Sequence, residues 1–284
     1  MRRTHILLLL TLALAGCTGL AQVEPTSYPD PKRDSITFWG HACSYIDVGG
    51  VGIVTDPVFQ KSLFARHRFI GAPPDQALHA TRVVLISHAH DDHLNIASLA
   101  RFPKNAVVLC PKPSAQYLAG KGITARAMAP GEAFEMDGVR IIAVTAFHPG
   151  TRKGIHRGTD GRALGWIVRT PAVTIYYSGD TDYCSTFSDV GRTYAPDIAI
   201  LNINGHLPPV DAARAADALR APVVIPSHWG AYGYWIAGGN RHPRGETELR
   251  RLLGKRLHVL KVGESLPLEH ASRASQENVG PGAH

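Results

Sequence analysis

The segment His88-Ala89-His90-Asp91-Asp92-His93 constrains this chain more than any other. It follows, one residue on, the run Val83-Val84-Leu85-Ile86, an apolar and β-branched stretch of strand length. The polar cluster therefore stands where a buried strand gives way to a loop, the place where α/β proteins put their ligand sites. A core does not hold so many titratable groups unpaired, because each would carry a large desolvation penalty. Imidazole nitrogen and carboxylate oxygen are the donors that zinc, iron and manganese accept. His88 and His90 alternate as on an extended chain and face one side. Asp92 and His93 follow as the backbone turns and reach a second point, so two neighbouring metals can share the segment.

Four side chains do not complete two metal sites, and later strand ends offer more donors. His148 follows the run Ile141–Thr145, Asp180 follows Val173–Tyr177, and His228 follows Val223–Ile225. Each comes straight after an apolar run and close to a Gly or Pro. One such residue is more often structural; three in succession point to a common site.

The remaining elements read as follows. Ser35–Trp39, Ser44–Val48 and Val51–Thr55 are strands, as is Ala106–Cys110. Asn95–Arg101 is a helix with Asn95 as N-cap, and Ser114–Ala119 a short helix. Phe134–Met136 and Val139–Thr145 form a hairpin closed by Asp137-Gly138, and Leu164–Arg169 and Val173–Tyr177 a second around Thr170-Pro171. Then come strand Ile198–Leu201, helix Asp211–Leu219, strand Val223–Ile225, helix Glu246–Leu253 and strand His258–Lys261. A β-rich first part and an alternating second part predict an α/β domain of two packed sheets with helices outside.

The ends are separate matters. Met1-Arg2-Arg3 is a basic start, Ile6–Ala15 an apolar stretch too short to span a bilayer comfortably, and Leu14-Ala15-Gly16-Cys17 is similar to a bacterial lipobox. Residues 1–16 are expected to be a lipoprotein signal peptide. Residues 17–33 then hold a lipidated Cys17 and a Pro-containing tether, 34–268 the domain, and 269–284 a disordered polar tail. A plain secretory signal is the alternative. Thr18 rather than Asp after the cysteine points to the outer membrane of a bacterial envelope. Without Arg2 and Arg3 the formal charge falls from +7 to +5. That balance suits an anionic substrate or a membrane surface. No basic run with interleaved aromatics appears, so no nucleic-acid partner is expected. Cys43, Cys110 and Cys184 show no CxxC or thiol-rich metal pattern, and free thiols are the expectation.

With HxHxDH at 88–93, His148, Gly179-Asp180 and His228 in place, the chain resembles the metallo-β-lactamase-fold hydrolases. Trp39-Gly40-His41-Ala42, Thr55-Asp56-Pro57-Val58-Phe59, Gly179-Asp180-Thr181 and His228-Trp229-Gly230 look like one branch of that superfamily. That branch holds ascorbate-6-phosphate lactonase-like and N-acylphosphatidylethanolamine phospholipase D-like proteins. The resemblance spans roughly residues 35–262. It implies a four-layer αβ/βα sandwich and two divalent metal ions, zinc first, with manganese or iron open. It gives metal one His88, His90 and His148, metal two Asp92, His93 and His228, and makes Asp180 the bridge.

The chemistry implied is hydrolysis by a metal-bridging hydroxide, with Asp92 orienting it and carrying a proton. His206 stands after the Ile198 strand and is a candidate to protonate a leaving group or hold a phosphate. That role comes from its position and not from the resemblance, and an exposed loop histidine is the competing reading. Asp56 is a candidate hydrogen-bond partner for a metal histidine, or an Asp-Pro turn. His41 and Tyr232 are candidate pocket residues, with core packing the alternative. The favoured substrate is a phosphodiester in a phospholipid-like amphiphile. A lactone or ester of a small sugar acid is the alternative, and a non-catalytic metal-bearing envelope protein is the alternative of another class. The oligomeric state is open.

Overall fold

The computed structural model describes residues 33–269 apart from 64, 65, 69, 74, 149–162, 204, 235–237 and 240–242. The signal, Cys17 lipidation and tether expected before residue 33 lie outside the described residues, as does nearly all of the expected tail. Among the described residues no helix is long and apolar enough to cross a membrane.

The strands of the first half are β1 (Ser35–Gly40), β2 (Cys43–Val48), β3 (Val51–Thr55), β4 (Ser62–Leu63), β5 (Arg66–Arg68), β6 (Thr81–Leu85), β7 (Val107–Pro111) and β8 (Arg126–Met128). Those of the second half are β9 (Ala133–Met136), β10 (Val139–Thr145), β11 (Leu164–Arg169), β12 (Thr174–Tyr177), β13 (Ile198–Asn202), β14 (Val223–Ser227), β15 (Tyr232–Tyr234), β16 (Gly238–Gly239) and β17 (Ser265–Pro267). The helices are α1 (Asp75–His79), α2 (Ile96–Leu99), α3 (Lys112–Ala119), α4 (Thr186–Tyr194), α5 (Pro209–Leu219) and α6 (Glu246–Leu253). One sheet runs β17-β1-β2-β3-β6-β7-β8, a second β14-β13-β12-β11-β10-β9, and a small third β16-β15-β5-β4.

Period-two alternation builds the layers, because successive strand side chains point to opposite faces. Ile36 and Phe38, Val83 and Leu85, Ile141 and Ala143, Trp166 and Val168, Ile175 and Tyr177 share one buried cluster, which is the space between the two large sheets. The opposite phase of the second sheet, Ile142, Ile167, Tyr176 and Leu201, packs with Phe187 of α4, Leu219 of α5 and Leu249 of α6. The opposite phase of the first, Tyr45, Val54, Val84 and Val108, packs with Leu78 of α1, Leu99 of α2 and Leu118 of α3. Three apolar clusters thus fill three interlayer spaces, which is the expected αβ/βα sandwich.

Several local expectations hold. Asp137 and Gly138 both have positive φ (47° and 82°), the primed turn that suits a two-residue hairpin. Asn95 Oδ1 accepts the Ser98 backbone N–H at 2.8 Å and caps α2. The strand expected at His258–Lys261 does not form. Leu257 makes a single bridge to Val224, and β17 takes the edge beside β1 instead. Helices α1 and α4, strand β8 and the small third sheet were not foreseen.

The pairing directions place the motifs. β6, β12, β13 and β14 all end at one rim of the sandwich, and β10 runs the same way because β11 is antiparallel to both β10 and β12. Ser35 pairs with Pro267 at the opposite rim, so β1 begins and β17 ends far from those loops.

Candidate metal centre

The seven expected donors come together at that rim. His90 Nδ1 lies 2.9 Å from His88 Nε2 and 3.1 Å from His148 Nε2. His93 Nε2 lies 3.3 Å from His228 Nε2 and 3.4 Å from Asp180 Oδ2. His228 Nε2 is 3.6 Å from Asp92 Oδ2 and 3.7 Å from Asp180 Oδ1. Two foci result. His88, His90 and His148 form one; Asp92, His93 and His228, joined by His41, form the other. Asp180 shares a group with His88 and His93 and so stands between them.

The donor chemistry fits cations at both foci. His90 Nδ1 offers one proton or one lone pair, yet it faces two other ring nitrogens at hydrogen-bond distance and can fully answer only one. A cation takes all three lone pairs at once. The tautomers are set for it. Ser87 Oγ donates to Asp56 Oδ2 at 2.6 Å and is therefore free to accept His88 Nδ1–H at 2.9 Å, which leaves the His88 Nε2 lone pair aimed inward. His93 Nδ1 lies 2.8 Å from Asp56 Oδ2 and donates there. Such outer partners fix ring orientation and raise donor strength.

Electrostatics agree with the geometry. Burial, against the pull of Asp180, lowers His148 to about 3, and the neighbouring imidazoles add to it. Burial and His228 lower His41 to about 3 as well. Burial and His93 hold His88 well below its ordinary value, and His90 is lowered by the same causes. These rings stay neutral, the form that ligates. For His93 burial also disfavours charge, but Asp180, Asp92 and Asp56 outweigh it and hold its pKa well above the ordinary value. The carboxylates thus focus negative potential on the second focus. Asp92 and Asp180 are in turn held far below the carboxylate range, against their own burial, with His93 the leading cause in both.

Asp56 is the hub of the support. Besides His93 and Ser87 Oγ, it accepts the Ser87 backbone N–H at 2.7 Å and the Tyr177 hydroxyl at 2.6 Å. It is buried and has φ of 33°, so the Asp-Pro turn and the histidine partner are one residue doing both. Asn202 Nδ2 donates to Asp180 Oδ1 at 3.0 Å. Gly179 also has a structural reason. Its φ is +56°, and a Cβ there would lie 2.6 Å from the Ser87 Cβ. Only glycine lets the loop after β12 press against the loop after β6.

Other expected residues fall in different places. His206 is exposed, yet its ring stands edge-on to His148 with centroids 4.4 Å apart, and its Nδ1 lies 3.0 Å from Asp182 Oδ1. Asp182 thus holds the ring at Nδ1. Tyr232 is buried with its hydroxyl donating to Val58 O and Gln60 O, and its ring packs edge-on to His41. It supports the site rather than lining a pocket. Arg68 is buried as well and donates to Val58 O and Gly71 O. Cys43, Cys110 and Cys184 are free thiols. Ser87, Tyr177 and Asn202 were missed. A phenol inside the strand Thr174–Tyr177 was the available signal, because a buried Tyr hydroxyl needs a partner.

Fold and cluster together define a metal-dependent hydrolase of the metallo-β-lactamase fold. The chain belongs to the β-lactamase superfamily: residues 52–229 match the family model described as "Beta-lactamase superfamily domain". It is similar to a UPF0173 metal-dependent hydrolase of Methanoregula boonei, 30% identical over 82% of this chain and 97% of that one. A UPF0173 metal-dependent hydrolase of Pyrococcus furiosus is 33% identical over 82% and 99%. Among solved structures, Igni18, a metallo hydrolase from Ignicoccus hospitalis, superposes with a TM-score of 0.63 at 23% identity, covering 82% of this chain and 97% of that one.

Proposed function

We propose that this chain hydrolyses a phosphodiester in an amphiphilic, phospholipid-like substrate, using two divalent cations of which zinc is the first expectation. His88, His90 and His148 would hold one cation, Asp92, His93 and His228 the other, and Asp180 would contact both. Bound there, the pair supplies an activated water and neutralises charge on the reacting group. Paired dications suit a phosphodiester, whose reacting group carries negative charge throughout.

The chain's own residues divide the remaining work. The Asp92 carboxylate orients the attacking water and takes its proton. Asn202 fixes the rotation of Asp180 by donating to Oδ1. His206, held at Nδ1 by Asp182, carries a proton at Nε2 for the leaving oxygen.

The observation that carries the substrate class is Phe147. It is 46% exposed although it directly precedes the buried ligand candidate His148. Its backbone is pinned, with Phe147 N–H donating to Thr181 Oγ1 at 2.9 Å and Phe147 O accepting from Asp182 N at 3.0 Å. An exposed aromatic side chain on a pinned backbone, one residue from His148, suits a substrate with an apolar part. Lipid attachment at Cys17, in a bacterial envelope membrane, belongs to the same proposal and would hold the enzyme near such amphiphiles.

The test is an activity panel on metal-loaded protein with a phosphodiester, a lactone and a β-lactam, and metal content measured alongside. Phosphodiester turnover with two metals per chain is expected. Lactone turnover without phosphodiester cleavage overturns the substrate assignment, and fewer than two metals under replete conditions overturns the two-cation scheme.

A further inference from the structure

The seven donors leave one buried imidazole at the second focus without a role. His41 is 3% exposed, and its Nε2 lies 3.3 Å from Asp92 Oδ2. The donor atoms of His41, Asp92, His93 and His228 all lie within 4.8 Å of one another.

The backbone is built to put His41 there. His41 has φ of 59° and His228 has φ of 71°, both left-handed, a conformation uncommon for residues other than glycine. The two loops brace each other: His41 N–H donates to Trp229 O, and His228 N–H donates to His41 O at 2.7 Å. Ser227 Oγ donates to the same carbonyl at 2.9 Å. Strain at two facing residues, held by reciprocal hydrogen bonds, marks a position fixed for a purpose. The rings of His41 and His228 lie 4.1 Å apart, so the two imidazoles enter the focus side by side.

The distances distinguish a ligand from a hydrogen-bond donor. A ring N–H donating to a carboxylate closes to about 2.7–2.9 Å. A tetrahedral cation site with bonds of about 2.0–2.1 Å has ligand-to-ligand edges of about 3.3–3.4 Å. His41 to Asp92 is 3.3 Å and His93 to His228 is 3.3 Å, while Asp92 stands 3.6 Å from His228 and 3.9 Å from His93. The first two separations match tetrahedron edges, and all four exceed the length of a charge-assisted hydrogen bond.

We propose that His41 is a ligand of the second cation through Nε2, an eighth protein donor beside the seven of the two-cation reading on which this inference rests. The second focus would then draw on His41, Asp92, His93 and His228, with Asp180 still placed to contact both cations, 3.4 Å from His93 Nε2 and 3.7 Å from His228 Nε2.

Cobalt(II) titration of the full chain tests this, with the visible spectrum and chelator competition as readouts. The variants are His41→Asn, which tolerates the left-handed backbone, and His41→Gln, whose amide can still donate to Asp92 but ligates poorly. Wild type is expected to take two cobalt ions. Both variants are expected to keep the first ion, to bind the second at least tenfold more weakly, and to lose the wild-type spectrum of that second ion. A Gln variant with wild-type affinity and spectrum at the second ion would overturn the assignment, since a hydrogen bond to Asp92 would then be all that His41 supplies. A wild type that takes only one ion rejects the two-cation reading itself. A crystal structure of the metal-loaded wild type gives a check that no variant's folding can confuse. His41 Nε2 is expected within about 2.3 Å of the second ion; a separation beyond about 3 Å rejects ligation.

Discussion

Asp56 Oδ2 stands 2.8 Å from His93 Nδ1, and the same oxygen accepts the Tyr177 hydroxyl at 2.6 Å. Asp56 follows β3 of the first sheet, and Tyr177 ends β12 of the second. One carboxylate therefore orients a metal-ligand candidate and ties the two sheets together. Asp56→Asn keeps the size and suits the positive φ, but replaces one acceptor oxygen with a donor. Metal affinity is expected to fall by about 10–100-fold. Chelator competition measures it, and unchanged affinity would show that His93 needs no such partner.

Asp92→Asn separates chemistry from folding. Asp92 is half-buried at the second focus and faces three imidazoles, those of His41, His93 and His228. Turnover is expected to fall by about 10²–10⁴-fold while the melting temperature moves little. Steady-state kinetics at matched metal content checks this, and equal activity in the variant rejects the proton-carrying role.

Gly179→Ala should be costly for two reasons. The backbone is left-handed, and the added methyl would meet the Ser87 Cβ at 2.6 Å. A loss of about 2–4 kcal/mol in unfolding free energy is expected. Gly138→Ala is the control, because Gly138 is also left-handed (φ +82°) but a Cβ there meets nothing within 4 Å. If the two variants lose equal stability, the contact with Ser87 contributes nothing.

The chelator-stripped protein should lose stability on acidification. His41 and His148 titrate near 3 in the folded chain against an ordinary 6.5, and His88 and His90 are lowered too. Below pH 6.5 the unfolded chain binds protons that these four rings refuse, so stability falls as pH falls from 6.5 toward 3. His93 acts in the opposite sense: its contribution is fully present below 6.5 and is lost as pH rises through its raised value. Below 6.5 His93 is protonated in both states, so the four lowered rings alone set the trend there. Melting temperature is expected to drop steadily between about pH 7 and pH 4. A flat or rising trend would show that the rings are more solvated than their burial implies.

The donors were legible because their chemistry leaves no other use for them. A strand followed by His-Ala-His-Asp-Asp-His has few readings, and each later donor also followed an apolar run. The sandwich was legible through period-two alternation in Ile36–Phe38, Ile141–Ala143 and Ile198–Ile200. What stayed hidden was the support. Ser87, Tyr177 and Asn202 act through hydrogen bonds between segments far apart in sequence, and their spacing carries no trace of that. Helix α4 was hidden because Thr186–Tyr194 has only a narrow apolar stripe, Phe187 and Val190, broken by Gly191. Gly191 is there because a Cβ would meet Ala218 O at 2.2 Å where α4 crosses α5. The small third sheet was hidden because its strands are two or three residues long, too short for any period to show. The expected strand at His258–Lys261 failed because the segment reaches β14 only at Val224, through the Leu257 bridge and the His258 N–H, while Val259 and Leu260 pack against the core.

The pairing of Ser35 with Pro267 has a practical corollary. Both strands that lead to the ends of the described domain start or finish at the rim farthest from the histidine loops. A resin, an affinity handle or a fused reporter joined at either side would hang from the floor of the sandwich and leave its mouth turned toward bulk solvent. Immobilised preparations should then behave like free ones toward substrates of any size, which makes surface capture a sound format for screening what this hydrolase cleaves.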